Sequence, residues 1–288
     1  MKRRTFLAKS ATAVAGGVYL ANVGCQSSET GSQNAAGETA RKLEKIGVQL
    51  YTIRSKMAED FEGSIRKVAE IGYKEVEFAG YYNRKPEDVR ALLDEVGLTA
   101  PAVHVQLPAV QNNIDQLIET AQIVGHKYLI CPWVNIAQFA TADSWKQLAA
   151  DLNKAGEKCR EAGLRFGYHN HDFEFEAVEE QLPFDILLAE ADAALVDIEI
   201  DLFWIAKAGH DPFKYFQEHA GRFKLCHVKD MTEDGNMVDV GKGQIDFSQI
   251  FAKSEQAGLT HYFVEHDRPE DPFASIEASF NHLNALTF

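Results

Sequence analysis

The chain has 288 residues, enough for one large α/β domain or two small ones, and its 45% hydrophobic content can supply an ordinary globular core. The 29 Lys and Arg stand against 43 Asp and Glu, a formal net charge of −14. An excess of that sign repels phosphate backbones and anionic lipid surfaces, which argues against a nucleic-acid partner and against a nuclease.

The chain opens on Met1-Lys2-Arg3-Arg4-Thr5-Phe6-Leu7, followed by an Ala/Gly/Val-rich run to Val23. Paired arginines before Phe-Leu and an apolar run resemble a twin-arginine export signal, and the run is shorter than the ~20 residues a membrane span needs. Residues 1–24 are therefore expected to be the signal. Val23-Gly24-Cys25 is similar to the end of a lipoprotein processing site, which predicts a lipid anchor at Cys25. The mature protein is then expected in the periplasm, or anchored to a membrane and facing the outside. Residues 25–44, rich in Ser, Gly, Asn and Ala, read as a flexible tether, and 45–288 as one catalytic domain. Cys131, Cys159 and Cys226 lack metal-type spacing and read as buried thiols.

From Ile46 a β-rich run, a polar connection and an amphipathic helix recur. The strands fall at 46–50, 75–78, 98–105, 128–131, 165–175, 194–201, 223–228 and 261–265. The helices between and after them fall at 60–71, 86–96, 114–124, 142–162, 183–191, 203–208 with 212–219, 247–257 and 272–286. Eight β–α units in an unbroken series imply parallel strands, and eight is the number that closes a (β/α)8 TIM barrel. A doubly wound open sheet is the alternative, but no Gly-x-Gly-x-x-Gly follows the first strand.

The most informative stretch is the fifth strand, Arg165-Phe166-Gly167-Tyr168-His169-Asn170-His171-Asp172-Phe173-Glu174-Phe175. Period-two geometry puts His169 and His171 on one face with Asn170 turned away. In a barrel the chemistry sits where strands pass into the following loops. The polar residues there are Gln49, Glu77, His104, His169 and His171, Asp201, His227 and Glu265. A His, an Asp, a His and a Glu on strands five to eight form a mixed nitrogen–oxygen set for one divalent metal such as Zn2+, Mn2+ or Co2+. His169 and His171 both remain candidates for the fifth-strand ligand; His169, deeper in the strand, is preferred. Gln49, Glu77 and His104 lie across the mouth from that set and are expected to line the substrate pocket without holding metal.

The series Tyr168-His169-Asn170-His171-x-x-Glu174-Phe175, Asp201-x-x-Trp204, His227-x-Lys229-Asp230 and Val264-Glu265 resembles the sugar phosphate isomerase/epimerase family of xylose-isomerase-like barrels. The resemblance implies a metal at the ends of strands five to eight, with Asp201, His227 and Glu265 on three ligand positions. It departs from ketose epimerases at strand five, where His replaces the usual Glu, and at Trp204, where a His often stands. Only one of the two glutamates those enzymes use for proton exchange, Glu265, is matched. The chemistry implied is proton abstraction beside a carbonyl, through an enediolate, by Glu265, His171 or Glu174, with Lys229 neutralising the oxyanion. Tyr51, Trp133 and Trp204 could face a sugar ring. No phosphate-binding signature is evident, so the expected substrate is a neutral sugar or keto-sugar. Isomerisation or epimerisation is the first reading, and a lyase or dehydratase acting on a keto-sugar or 3-keto-glycoside is the alternative. A non-catalytic sugar-binding lipoprotein is the alternative of another class, and a homo-oligomer is compatible with all three.

Overall fold

Eight parallel strands close into a barrel in the computed structural model, which describes residues 40–288. The expected export signal, Cys25 and the expected tether up to residue 39 lie outside the described residues. The barrel strands are β1 (Gly47–Gln49), β2 (Glu75–Phe78), β3 (Thr99–His104), β4 (Tyr128–Cys131), β5 (Arg165–His169), β6 (Val196–Asp201) and β7 (Phe223–Val228). A two-stranded hairpin, β8 (Asp230–Met231) with β9 (Met237–Val238), follows β7, and β10 (His261–Val264) closes the barrel between β7 and β1. Among the described residues no helix is long and apolar enough to cross a membrane.

The helices are α1 (Arg54–Glu59), α2 (Phe61–Ile71), α3 (Pro86–Val96), α4 (Leu107–Val124), α5 (Ala142–Glu161), α6 (Pro183–Glu190), α7 (Leu202–Lys207) and α8 (Pro212–Glu218). After the hairpin come α9 (Phe247–Phe251), α10 (Ser254–Ala257) and α11 (Pro272–Ala285). Their starts are chemically marked. Pro opens α3, α6, α8 and α11, where its missing N–H costs nothing, and Asp60 caps α2 through the Gly63 amide. Three helical segments depart from the pattern read in the sequence, in which α1 has no counterpart. α4 begins at Leu107, passes a non-helical Asn113 (φ −137°) and so runs longer than expected. The helix expected at 247–257 is broken between α9 and α10.

Two apolar layers result. One lies between the strands and the helices; the other is a small plug of Ala102, Tyr128, Ile130, Leu225 and Phe263. The plug residues recur at alternate positions along β3, β4, β7 and β10, the set of side chains that fills a barrel interior. Gly167 belongs to the same layer: a Cβ there would stand 2.6 Å from the Ile130 Cδ1. Two residues further along β3, β5, β7 and β10 the layer gives way to polar side chains, His104, His169, His227 and Glu265. That change of chemistry along one face positions the site.

Candidate active site

The polar side chains form two tiers. The upper tier stands where β6, β7 and β10 end: Asp201, Lys229 and Glu265, with His227 just beneath. Parallel register sets Asp201 beside His227. All are buried. Asp201 uses Oδ1 to cap α7, accepting from the amides of Phe203 and Trp204 at 2.9 and 3.0 Å. Its Oδ2 has no hydrogen-bond partner, although Lys229 Nζ lies 3.0 Å away, off the line of a good bond. Lys229 also lies 2.7 Å from Glu265 Oε2 and 2.9 Å from Asp267 Oδ1. Glu265 Oε2 is 2.6 Å from His227 Nδ1. Burial pushes the Asp201 carboxyl up to about 6 against the pull of Lys229. Burial acts on Glu265 in the same sense, but Lys229 and His227 outweigh it and hold that carboxyl well below its ordinary range. Lys229, despite complete burial, is held well above its usual value by Asp201, Glu265 and Asp267.

The inner tier lies one strand repeat deeper: Gln49, Glu77, His104, His169 and Glu199, with the other edge of His227. Glu77 Oε2 accepts from Gln49 Nε2 at 2.8 Å and lies 2.7 Å from His227 Nε2. Glu199 Oε2 lies 2.8 Å from His104 Nε2, and 3.2 Å from both His227 Nε2 and His169 Nδ1. The His169 approach is too poorly aligned to be a hydrogen bond, and Glu77 Oε1 and Glu199 Oε1 have no partner at all. Burial and the nearby Glu199 push Glu77 up to about 7.

Above both tiers opens a cavity of about 360 Å³, lined by His104, His169, His171, Lys229, Glu265 and Asp267 and rimmed by Tyr51, Trp133, Arg54 and Arg268. β5 ends at His169, two residues before His171, so the same-face placement of the two histidines is made by a turn rather than by a strand. Glu174 makes that turn, its Oε2 accepting from the His171 amide at 2.8 Å and its Oε1 from the Tyr168 hydroxyl at 2.7 Å. Asn170 Oδ1 accepts from the Asp201 amide at 3.0 Å and ties the two strand ends together. His171 packs against Trp204 and Phe173, with centroids 5.4 and 5.5 Å away, and its Nδ1 is buried without a partner. Burial and Lys229 lower it to about 3, so the ring is neutral at physiological pH. Asp230 supports the site from behind: its carboxylate accepts from the amides of Gly241, Gly243 and Ile245 and pins the loop after the hairpin. A side chain on Gly243 would collide with that carboxylate.

Asp201, His227 and Glu265 come together as the sequence led one to expect, each offering an atom within 4.8 Å of the others. His169 groups instead with His104, Glu199 and His227, although its Nε2 stays 3.6 Å from Asp201 Oδ2. Gln49 and Glu77 lie beneath the cavity and do not line it, whereas His104 and Trp133 do. Glu174 is fully buried with both oxygens engaged, and Trp204 backs His171 and Lys229 rather than facing the cavity. Glu199 and Asp267 were missed. The spacing Asp197-x-Glu199-x-Asp201 carried the signal for the first, since alternate residues of one strand share a face.

The sequence matches the profile of the xylose isomerase-like TIM barrel over residues 65–286. It is similar to the inosose dehydratase of Lacticaseibacillus casei, 25% identical over 150 residues that make up 46% of this chain; the chain thus spans about half, 49%, of that relative. The inosose dehydratase of Clostridium perfringens (strain 13 / Type A) is 22% identical over 85% of this chain and 86% of its own. In three dimensions the chain is similar to the crystal structure of a sugar phosphate isomerase/epimerase from Parabacteroides distasonis ATCC 8503. That likeness, with a TM-score of 0.76, 24% identity and coverage of 88% of this chain and 97% of the other, is one of fold.

Proposed function

The chain belongs to the xylose isomerase-like TIM barrel family, and from that premise we propose that it is a divalent-metal-dependent enzyme that enolises a polyhydroxylated ketone. We propose further that elimination from the neighbouring carbon follows, making it a dehydratase or lyase acting on a keto-sugar or a cyclic analogue. The observation that carries this reading is the corner formed by Asp201, Glu265 and a buried Lys229, which faces a neutral His171 across the cavity.

The upper tier fits a divalent ion: two carboxylates and an imidazole converge, and Asp201 Oδ2 is buried with no hydrogen bond to satisfy it. Bound there, such an ion would act as a Lewis acid on the substrate carbonyl and its neighbouring hydroxyl. Lys229 adds a fixed positive charge where the enolate oxygen develops its own negative one, in a setting too dry to screen it. His171, neutral and lining the cavity, takes the proton from the carbon beside the carbonyl. The burial that makes this imidazole a weak base makes its conjugate acid strong, which suits protonation of a departing hydroxyl or alkoxide. Among the described residues, the carboxylates that line the cavity are Glu265 and Asp267, both just after β10, whereas His104 ends β3 and His171 follows β5. That asymmetry favours elimination over epimerisation.

Incubation of metal-loaded protein with cyclic polyhydroxy-ketones, 3-keto-glycosides and ketoses in deuterated water tests the proposal. The expected result is an unsaturated product with deuterium exchange at the carbon beside the carbonyl. Exchange with an isomer as the only product would move the enzyme to the isomerases, and neither exchange nor product would overturn the reading.

A further inference from the structure

We propose that the inner tier, His104, His169, Glu199 and His227, is itself a site for a divalent transition metal, distinct from the upper tier. The inference goes beyond the proposed reaction and does not rest on it. Three imidazoles from β3, β5 and β7 bring a nitrogen to 2.8, 3.2 and 3.2 Å of one carboxylate oxygen from β6. A tetrahedral ion with bonds of about 2.0–2.1 Å would set its ligand atoms roughly 3.3 Å apart. Three of the six edges of that figure are therefore nearly in place, and all four atoms lie within 4.8 Å of one another.

Hydrogen bonds join His104 Nε2 to Glu199 Oε2 and His227 Nε2 to Glu77 Oε2, but they leave part of the cluster unsatisfied. The His169 nitrogen is not aligned on Glu199, and the Oε1 atoms of Glu199 and Glu77 are buried without partners. Buried polar atoms are normally satisfied, and carboxylates left bare in a dry interior are costly. In the upper tier Lys229 supplies a cation; among the described residues only imidazoles come within ion-pair distance of Glu77 and Glu199. The rings are also crowded, with His227 centred 4.4 Å from His169 and 5.3 Å from His104. Several imidazolium charges would repel at that spacing, whereas neutral rings sharing one ion would not.

The donors are three nitrogens and one oxygen with no sulfur, which suits Zn2+, Co2+ or Fe2+ better than Ca2+ or Mg2+. His104 lines the cavity and provides an entry path. Four protein ligands leave no open position, so the ion would tie β3, β5, β6 and β7 together. His227 belongs to both tiers, so with both ions bound it would bridge them as an imidazolate, Nε2 downward and Nδ1 toward Asp201 and Glu265, its ring proton released to solvent.

Cobalt is the probe, used on the full chain after metal removal. Wild-type protein should take up about two Co2+ per chain. The Asp201→Ala/Glu265→Ala variant, which dismantles the upper tier, should keep about one, with the visible absorption of a nitrogen-rich four-coordinate ion. Adding Glu199→Gln to that variant, or His104→Gln should Glu199→Gln fail to fold, should weaken its binding at least about tenfold. A folded Asp201→Ala/Glu265→Ala protein that binds no Co2+ would overturn the proposal. Unchanged affinity on adding Glu199→Gln or His104→Gln would do the same. If the upper-tier variant does not fold, the wild-type stoichiometry decides between two ions and one.

Discussion

The two mouths of the barrel both carry buried carboxylates, yet they handle them in opposite ways. At the bottom, Asp197 accepts two hydrogen bonds from Arg165, each 2.7 Å, and Glu75 is paired with Lys45 at 3.3 Å and His261 at 2.7 Å. Arg165 and Lys45 keep 32% and 58% of their side-chain surface, so their charges stay partly hydrated while the acids are dry. At the top, Glu77, Glu199 and Asp201 each keep a buried oxygen with no hydrogen bond. Pairs that satisfy every atom hold strands together; acids with oxygens to spare are donors waiting for a cation or a substrate. The distinction is one of satisfaction rather than of residue type, and it can be broken by substitution at either end.

The largest effect is expected in the upper tier. Asp201→Ala or His227→Ala should each weaken metal binding by about 100-fold or more and reduce turnover at least as much. Metal analysis of the purified variants checks this. Full occupancy in both would mean that the spare oxygens are not donors and that the two mouths do not differ in function. Next in size is Lys229→Met, for which kcat should fall by roughly 10²–10³-fold while metal content stays at the wild-type level. Loss of metal in that variant would make Lys229 a structural partner of the acids, like Arg165 below. Arg165→Met should show the converse pattern. Leaving Asp197 buried without its partner should cost about 2–3 kcal/mol, discounted for the exposure of the guanidinium, with kcat per folded molecule unchanged. Urea denaturation with parallel turnover measurements separates the two.

The barrel was legible because each unit wrote its own period: short β-rich runs, then helices opened by Pro or Asp. What escaped were features set by side chains from elsewhere in the chain. The fifth strand stops at His169 because Asn170 bonds the next strand and Glu174 captures the His171 amide. The hairpin β8–β9 consists of two-residue strands, followed by a loop that one carboxylate, Asp230, organises, and no periodicity of that length exists to be read. In the site, Asp201, His227 and Glu265 stood out because they lie where their strands end. Glu199 did not, because it stands two positions before the end of β6, inside a run that reads as ordinary strand. The grouping of His169 with the inner tier was likewise invisible, since it depends on which way a ring turns between two carboxylates that period alone places on the same face.

The smallest effect on activity is expected at Glu174, and there the comparison can be sharpened by pH. This carboxyl is as buried as those of the upper tier, but both its oxygens are engaged, by the Tyr168 hydroxyl and the His171 amide. It resembles the satisfied acids of the bottom mouth, with one difference: among the described residues no Lys or Arg pairs with it. Burial therefore raises it to about 8 in the folded protein, from an ordinary value near 4.5. The folded state holds that proton where the unfolded state has released it, so the contribution to stability is complete at low pH. It falls away as pH rises from about 4.5 to about 8 and then stays lost. Glu174→Gln keeps the shape, can accept from the His171 amide and donate to Tyr168, and has no proton to lose. Its stability should not show that decline, so the variant should overtake wild-type protein above about pH 8 by an amount on the order of a few kcal/mol. Turnover at pH 7 should stay within a few-fold of wild type, because Glu174 positions the His171 turn without reaching the cavity. Thermal melts of both proteins from pH 5 to pH 9, with turnover measured on the same samples, decide it. Parallel stability curves would show Glu174 to be ionised in the folded state, and turnover reduced by about two orders of magnitude or more would return it to the catalytic set.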